Sequence, residues 1–465
     1  MTRAGMNRRR FLASLGGAAV AGVAAAVLGG RARAGQAARA GQADKPNVVI
    51  IFTDDQGYQD LGCFGSPDIR TPHVDRMAAE GMKFTDFYVA APVCSPSRAA
   101  LLTGCYPVRT GVTAVLFPPH KKGLSLEKRT LAEILKPLGY ATACIGKWHL
   151  GTGTEAVGGL PDHAEFMPTS RGFDHYFGIP YSNDMKPCPV VRGTEVIEEP
   201  ARQDTLTQRY TEEAVRFIRA NKDRPFLVYL PHTMPHVPLA AGEAFRGKSP
   251  RGLYGDVIQE IDASTGAILK TLHDLGLDGK TLVVYTSDNG PWLSKGKNGG
   301  CAKPLRDGKF STYEGGFRMP TVMRWPGRIP AGTVCREMVL SMDLVPTIAG
   351  LAGAPLPSGY DLDGRDVLPL LEGRSGAGTP HEAFFYYKGS RLEAVRSGSW
   401  KLVLFEGAER GEPRGRLELY DLAADIGEQT NVAGQHPDVV KRLTALAAAG
   451  VQRVGGRVGR PGRKQ

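Results

Sequence analysis

The sequence predicts an α/β protein with a large mixed, mostly parallel sheet flanked by helices and a smaller antiparallel sheet near the C-terminus. Short apolar, β-branched runs alternate with helix-like segments over most of the 465 residues. Polar residues follow these runs repeatedly, as they do where strands of an open sheet end at one crevice. After about residue 342 the pattern changes to short strands joined by turns, which predicts the second sheet.

The predicted strands of the large sheet all end in polar residues that could carry chemistry. These strands cover residues 47–53, 141–145, 226–230 and 281–285. The polar segments after them are Asp54-Asp55, Gly146-Lys147-Trp148-His149, the loop from His232 to His236, and Ser287-Asp288-Asn289-Gly290. Because the carboxyl ends of parallel strands meet at one edge, we expect these segments to converge.

Helix boundaries are marked by proline, capping residues and glycine. Thr71-Pro72 opens a helix that stops at Gly81, and Thr130 with Glu133 forms a capping box for a helix that ends at Gly139. The remaining predicted elements are helices at 343–351 and 439–448 and strands at 383–387, 392–395, 400–405 and 418–420.

Residues 94 to 104 read Cys-Ser-Pro-Ser-Arg-Ala-Ala-Leu-Leu-Thr-Gly. Proline near the first turn and Gly104 past the end predict a helix that begins close to Cys94. The free N–H groups of a helix start favour an anion, which suits a nucleophile at position 94. The alternative for a lone cysteine is a small side chain packed beneath a helix.

The net charge of +11 comes from the two ends of the chain. Residues 1–34 hold six basic residues and residues 451–465 hold five, with no acidic residue in either segment, so the body is formally neutral. We therefore expect no nucleic-acid partner. Residues 451–465 are predicted to form a basic, flexible tail.

Asn7-Arg8-Arg9-Arg10-Phe11-Leu12 resembles the twin-arginine export motif. A Gly/Ala-rich apolar stretch follows, and Ala32-Arg33-Ala34 suits signal peptidase, so residues 1–34 are predicted to be a twin-arginine signal peptide. The expectation is export by the twin-arginine translocation machinery to the bacterial periplasm or beyond. The alternative is an N-terminal membrane anchor, which the Gly/Ala content disfavours. No second apolar run has transmembrane length, so we expect no stable membrane span.

The Cys94 segment resembles the signature of the type I, formylglycine-dependent sulfatases. Further ordered segments resemble motifs of that family, including those of arylsulfatase A and N-acetylgalactosamine-6-sulfatase: residues 78–81, 139–149, 178–182, 308–309 and 312–316. The resemblance implies an alkaline-phosphatase-like fold and a sulfuric ester hydrolase of arylsulfatase type. It places a catalytic α/β domain at residues 45–342 and a C-terminal subdomain at 343–450.

In this family a formylglycine-generating enzyme converts the signature cysteine to Cα-formylglycine, whose hydrate attacks sulfur. The resemblance implies that His236 protonates the departing alcohol and that His149 later drives sulfate release, with His232 as a rival to His236. Residues implied to carry positive charge or contact sulfate are Arg98, Lys147, Lys309 and Ser182. Of the other cysteines, Cys63, Cys105, Cys144, Cys188, Cys301 and Cys335 have no readable pairing, and no Cys-x-x-Cys spacing indicates zinc.

The implied metal ligands are Asp54, Asp55, Cys94 after modification, Asp288 and Asn289. Carboxylate and amide oxygens suit a hard divalent cation, and Ca²⁺ is preferred over Mg²⁺ because it accepts irregular, high coordination. Taken singly, an Asp-Asp pair or an Asp-Asn-Gly segment is also typical of a turn or helix cap. Two such motifs at two strand ends favour a metal site.

Two other functions stay open on the sequence. One is a phosphate or phosphonate ester hydrolase of the same superfamily, although those sites more often place histidine where this chain has Asn289. The other is a sulfated-glycan-binding protein without turnover, which would apply if Cys94 is not modified. Within the sulfatases, both aryl sulfates and carbohydrate sulfates remain possible substrates.

Overall fold

The computed structural model describes residues 45–118, 122–151, 164–356, 359–404 and 417–458. The predicted signal peptide and the last residues of the predicted tail lie outside these ranges. Within them, Pro46 to the C-terminal part of the chain forms one unit, so the two sheets belong to a single body. None of the described helices has the length and apolarity needed to cross a membrane.

The described ranges contain the eight predicted strands, with small changes at their ends, and eight further strands that the sequence analysis did not predict. In chain order the strands are β1 Asn47–Thr53, β2 Met82–Tyr88, β3 Ala141–Ile145, β4 His175–Gly178, β5 Val190–Arg192, β6 Glu195–Glu198, β7 Phe226–Pro231, β8 Thr281–Ser287, β9 Arg318–Arg324, β10 Thr333–Cys335, β11 Val339–Leu340, β12 Phe384–Lys388, β13 Arg391–Ser397, β14 Trp400–Val403, β15 Glu418–Asp421 and β16 Arg457–Val458. The four strands predicted for the large sheet correspond to β1, β3, β7 and β8.

The α-helices include those that the caps predicted. They are α1 Pro72–Ala79, α2 Cys94–Thr103, α3 Pro107–Thr110, α4 Leu131–Leu135, α5 Leu206–Ala220, α6 Leu253–Asp274, α7 Glu314–Phe317, α8 Leu344–Ala352, α9 Leu368–Leu371 and α10 Pro437–Val454. The Thr130–Glu133 capping box is present at the start of α4. Gly104 ends α2 in the left-handed region at φ 71°.

The large sheet is mixed, with strand order β10-β2-β9-β8-β1-β7-β3-β4-β5-β6 and β11 beside β2. Its centre is parallel: β1 pairs in parallel with β7 and β8, and β3 with β7 and β4. The second sheet has the antiparallel order β12-β13-β14-β15, with β16 parallel to β13. The predicted fold class is therefore confirmed.

The central strands are buried on both faces, which explains their continuous apolar sequence. In β1, Val48, Ile50 and Phe52 pack into one core, whereas Val49 and Ile51 pack into the core on the opposite face. Side chains from α2, α4 and α8 join the first core, and side chains from α1, α5 and α6 join the second. A third core joins the small sheet and α10 to Tyr88 and Phe317 of the large-sheet region.

The end of the chain differs from the prediction, and the cysteines are unpaired. Residues 451–454 continue α10, and Arg457–Val458 pair with β13, so the prediction of a flexible tail from 451 was wrong for the residues up to 458. Apolar contacts of α10, such as buried Val454, hold this segment. All seven cysteines lie in the described ranges and are free thiols.

Candidate active site

The polar segments after the strands of the large sheet meet as predicted. β1 and β8 are parallel neighbours in the register Thr53 to Ser287, so Asp54-Asp55 and Asp288-Asn289 lie side by side. The Asp55 N–H donates to Asp288 Oδ1 at 3.2 Å, and Asn289 Nδ2 donates to Asp55 Oδ1 at 2.7 Å. Asp55 adopts φ 64°, a strained conformation for a residue with a side chain.

Arg98 of α2 enters this cluster from the helix that begins at Cys94. Its Nη2 donates to Asp288 Oδ2 at 2.7 Å and to Asp54 Oδ2 at 3.1 Å, and its Nη1 donates to the Lys147 carbonyl at 3.0 Å. The side chains of Arg98, Asp54 and Asp288 are all fully buried. Because an ion pair without water is costly unless its hydrogen bonds are complete, this arrangement depends on all three side chains together.

Lys147 follows β3 and reaches the same carboxylate from another side. Its Nζ contacts Asp54 Oδ2 at 2.5 Å and donates to Ser182 Oγ at 3.0 Å. Gly146 makes this approach possible, since at φ 130° a Cβ would lie 1.9 Å from the Pro231 carbonyl oxygen. Ser182, predicted as a sulfate contact, therefore lies beside the lysine.

Lys309 comes from the loop before α7 and completes the set of cations. Its Nζ lies 2.7 Å from Asp55 Oδ1 and 2.8 Å from Asp55 Oδ2. The ammonium also lies 4.4 Å from the centre of the Trp292 ring. A Cβ on Gly290 would come within 1.7 Å of the Gly315 carbonyl oxygen, so glycine there permits the close approach of the two loops.

The charges separate the pKa values of the buried carboxyl groups. Burial acts to raise the pKa of Asp54, but the neighbouring cations, Lys147 foremost, outweigh burial and hold that pKa well below its usual range. Burial, together with the charge of Asp54, raises the pKa of Asp288 to about 7 despite Arg98. Burial lowers the pKa of Lys309, but Asp55 reverses the effect and raises it above the ordinary value.

Two buried oxygens in this cluster have no hydrogen-bond partner. They are Asp54 Oδ1 and Asn289 Oδ1. Buried acceptors are nearly always satisfied, so orphaned oxygens on neighbouring strand ends fit a bound cation. Asp54, Asp55 and His236 each offer a ligand atom, and these three atoms lie within 4.8 Å of one another.

The structure distinguishes among the predicted metal ligands. Asp54 and Asn289 each retain a free oxygen. Both oxygens of Asp288 accept hydrogen bonds, from the Asp55 N–H and from Arg98, and both oxygens of Asp55 are likewise engaged, by Asn289 and Lys309. His236 lies at this group, although the sequence suggested it only as a proton donor. Cys94 is not part of the group of candidate ligands within the described ranges.

Cys94 is the first residue of α2 and is almost fully buried. Burial raises the pKa of its thiol; Lys147 and Lys309 oppose that rise, whereas Asp54 and Asp288 add to it. The unmodified residue is therefore a thiol at neutral pH.

His149 has one nitrogen engaged and one nitrogen free to accept a proton. Its Nε2 lies 2.9 Å from the Leu116 carbonyl oxygen, while its buried Nδ1 has no hydrogen-bond partner. Since a carbonyl only accepts, Nε2 carries the hydrogen and Nδ1 is a bare acceptor. Burial first, then Lys147 and Arg98, lowers the pKa of His149 well below its usual value, so the ring is neutral.

His236 has the opposite arrangement. Its Nδ1 faces Asn183 Oδ1 at 3.1 Å and the Val237 carbonyl oxygen at 2.7 Å, so Nδ1 carries a hydrogen. Its Nε2 lies 3.6 Å from Asp55 Oδ2. Burial lowers the pKa of His236, and the charges of Asp55 and Asp54 oppose that shift.

His232, the rival to His236, lies outside this group. Its Nε2 is 3.5 Å from Ser264 Oγ on α6, and its ring packs beside Tyr210 on α5. Burial lowers its pKa to about 3, which makes it a neutral core residue. These contacts support the structural role that the sequence favoured for it.

Two residues at this site were not found from the sequence. Asn183 orients His236, and Trp292 contacts both Lys309 and the His236 ring, the latter at 5.5 Å between centroids. Their positions gave some signal, since Asn183 follows Ser182 and Trp292 lies three residues after Asn289. Asparagine and tryptophan in loops are, however, more often structural or solvent-facing.

Replacing Arg98 by methionine should destabilise the protein strongly, because Asp54 and Asp288 would lose the guanidinium that lies between them. We expect a loss of about 3 to 5 kcal/mol in the free energy of unfolding. Denaturant titration in buffer with a chelator measures it. Arg336→Met, at an exposed position, is the control and should change stability by less than about 0.5 kcal/mol. Equal stabilities of the two variants would contradict the buried charge cluster.

Comparisons with known proteins agree with this geometry. A family model described as sulfatase matches residues 46–354, and one described as the C-terminal part of N-sulphoglucosamine sulphohydrolase matches residues 306–448. Arylsulfatase A of Homo sapiens is 40% identical over 451 residues, covering 86% of this chain and 87% of that protein. N-acetylgalactosamine-6-sulfatase of Canis lupus familiaris is 41% identical over 389 residues, covering 78% and 72%.

A solved structure of a sulfatase has the same architecture. The PsFucS1 sulfatase from Pseudoalteromonas sp. superposes with a TM-score of 0.79 at 25% identity, covering 90% of this chain and 93% of that one. The family match spans most of the described ranges and includes the Cys94 helix and the segments around Asp54 and Asp288. The chain therefore belongs to the type I sulfatase family, whose members are sulfuric ester hydrolases.

Proposed function

We propose that this protein hydrolyses sulfate monoesters of aromatic or carbohydrate alcohols through a formylglycine formed from Cys94. The observation that carries the proposal is the convergence of three buried cations on the carboxylates beside the Cys94 helix. Arg98, Lys147 and Lys309 each pair with a strand-end carboxylate. Arg98 belongs to the Cys94 helix, and Phe310, next to Lys309, donates its N–H to the Pro92 carbonyl just before that helix. Such a group of cations stabilises the negative charge of a sulfate ester and of its transition state.

A formylglycine at position 94 would supply a geminal diol. One hydroxyl would lose its proton and bond to sulfur as the sulfur–oxygen bond to the alcohol breaks, and the departing alcoholate would take up a proton. The other hydroxyl would then lose its proton as the carbon–oxygen bond to sulfate breaks, which would release sulfate and re-form the aldehyde, and water would restore the diol. Two side chains with distinct proton roles are therefore required.

The two histidines differ in ways that match these roles. His149 is neutral with a bare Nδ1, so it can remove the proton from the remaining hydroxyl. His236 already carries a hydrogen on Nδ1 and presents Nε2 toward Asp55, whose negative charge opposes the effect of burial and favours a second proton on Nε2; in that protonated form it would donate to the departing alcohol. Asn183 holds the His236 ring in this orientation through Nδ1.

A divalent cation, which we infer to be Ca²⁺, would be held by oxygens of Asp54, Asp55 and Asn289, with Asp288 close by. It would supply positive charge to a sulfate oxygen. Asp54 Oδ1 and Asn289 Oδ1 fit this role because they are buried acceptors without partners. Asp288 contributes mainly by holding Arg98 and the Asp55 backbone.

The twin-arginine segment at Arg8-Arg9 supports a second part of the proposal, that the protein is exported to the bacterial periplasm or beyond. The formylglycine-generating enzyme and the translocation machinery would then act before the mature enzyme reaches its substrate.

Peptide mass spectrometry of active protein should find an aldehyde at position 94. Cys94→Ala should abolish turnover and change the free energy of unfolding by only about 1 kcal/mol, since it removes a nucleophile and little apolar volume. Turnover with each sulfate ester and denaturant titration measure the two effects. Active enzyme carrying only an unmodified thiol at Cys94 would rule out this mechanism.

Replacing Asn289 by alanine should reduce bound metal, because it removes one of the two orphaned oxygens. We expect a lower metal content by elemental analysis, a smaller rise in Tm on adding Ca²⁺ and a loss of activity. His232→Ala is the control, since that buried histidine lies outside the site and the variant should retain the metal. Full metal content and full activity in Asn289→Ala would place the cation elsewhere.

The two histidines should respond differently to the leaving group. His236→Ala should slow unactivated alkyl or sugar sulfates by about 10²- to 10⁴-fold and activated nitrophenyl sulfates much less, because a nitrophenolate needs no proton to leave. His149→Ala should slow all esters alike and accumulate a sulfated enzyme, because the second step is common to every substrate. Rates across a leaving-group series, with intact-mass analysis, measure both effects.

Equal losses across that series in His236→Ala, with no trapped sulfated form in His149→Ala, would contradict both assignments. His232→Ala is the control for a buried histidine outside the site. It should alter stability without changing the dependence of rate on the leaving group.

A further inference from the structure

The loop that carries Lys309 is attached at two places. At the active-site end, the Lys309 N–H donates to the Pro291 carbonyl at 2.9 Å and the Phe310 N–H donates to the Pro92 carbonyl at 2.9 Å. These bonds tie the loop to the segments after β8 and before α2. The other attachment lies a few residues along the chain and is made by the small sheet.

Lys401 of β14 is the centre of the second attachment. Its Nζ donates to the carbonyl of Thr312 at 2.9 Å, and Thr312 lies three residues after Lys309 in the chain. Thr312 Oγ1 also donates to Glu393 Oε2 of β13 at 2.5 Å. Both contacts cross from the small sheet to the catalytic loop, so the loop's position depends on the C-terminal part of the chain.

Charged groups around Lys401 strengthen this attachment. Its ammonium lies 3.0 Å from Glu314 Oε1 and 2.8 Å from Glu428 Oε1, and the side chains of all three residues are fully buried. Glu428 Oε2 accepts the Glu314 N–H at 2.7 Å, at the start of α7. Arg306, before Lys309 in the chain, donates Nη1 to the Glu428 carbonyl at 2.8 Å. Both sides of the loop are thereby held.

These contacts contribute more to the position of the loop that carries Lys309 than to the stability of the protein. Burying an ammonium and two carboxylates costs free energy that their attraction only partly offsets, and apolar side chains of similar volume often replace such groups without loss of stability. What an apolar side chain cannot supply is a directional donor to the Thr312 carbonyl. A displacement of about 1 Å at a catalytic group lowers rates on the order of 10²-fold, so such a donor has a functional consequence.

The geometry points to Lys401 as a positioning residue that holds Lys309 in the sulfate site, with Thr312 as the link between them. The small sheet is then part of the catalytic apparatus and not only a packing layer. This inference rests on the proposed role of Lys309 toward sulfate.

A double-mutant cycle with Lys309 tests it. Lys401→Met should lower kcat/KM for an activated aryl sulfate by about 10- to 100-fold and weaken competitive inhibition by inorganic sulfate at least several-fold. If Lys401 acts through Lys309, then Lys401→Met should cause little further loss in a Lys309→Met background. Thr312→Val, which has the same shape and loses only the hydroxyl bond to Glu393, should give a smaller change in the same direction.

The control must separate position from stability. Arg324→Met removes a largely buried guanidinium that pairs with Glu80 and Asp278, both only partly buried, at the far end of β9. It should lower the denaturation midpoint without changing inhibition by sulfate. If Lys401→Met does not fold, the double-mutant cycle with Lys309→Met is measured with Thr312→Val instead.

Three results would overturn the inference: equal fold-losses for Lys401→Met in both backgrounds, unchanged inhibition by sulfate in Lys401→Met and Thr312→Val, or an Arg324→Met variant that weakens sulfate inhibition equally. Failure of the proposed function has a different signature. In that case the wild-type protein would hydrolyse no sulfate ester, or Lys309→Met would leave kcat/KM unchanged.

Discussion

Three carboxylates, those of Asp54, Asp55 and Asp288, lie close together at the ends of β1 and β8, and all three are almost fully buried. Asp54, Asp55 and Asp288 could not remain ionised there without cations from elsewhere in the chain. Arg98 comes from α2, Lys147 from the end of β3 and Lys309 from the loop before α7. The pairing of these carboxylates with cations therefore determines how five separate segments meet. Cys94 lies one helical turn before Arg98 in α2.

The same constraint determines where chemistry can occur. Each ammonium has three donors and uses at least one of them on a carboxylate, which under the proposed function leaves a donor for a sulfate oxygen. The two histidines differ in which nitrogen is engaged, Nε2 in His149 and Nδ1 in His236. Their opposite tautomers follow from one backbone carbonyl beside each ring. In the neutral form each ring leaves its other nitrogen bare, so the proposed donor role of His236 requires a second proton on Nε2, which the charge of Asp55 favours and burial opposes.

The sequence predicted the strands and helices well because their signals are local. β1 and β3 match the apolar runs to the residue, and the α4 cap was visible as Thr130 with Glu133. The convergence of the strand-end residues followed from the rule for parallel strands, and the roles of Cys94 and the histidines came from family resemblance. Contacts between distant segments were not visible. The bonds from Asn183 to His236 and from Lys401 to Thr312 join residues 53 and 89 positions apart, and no local pattern encodes them.

This difference between local and distant signals explains why nothing in the sequence analysis linked the small sheet to the active site. Its strands read as ordinary antiparallel strands, and Lys401 in β14 looks like a solvent-facing lysine in an alternating pattern. The structure instead buries that lysine between Glu314 and Glu428, because the loop after β15 folds back over the start of α7. Whether a lysine in a predicted strand is buried therefore depends on the segments that pack over it. Here the cover is the start of α7 with the loop after β15, so the two sheets share one charged interface that adjoins the loop carrying Lys309.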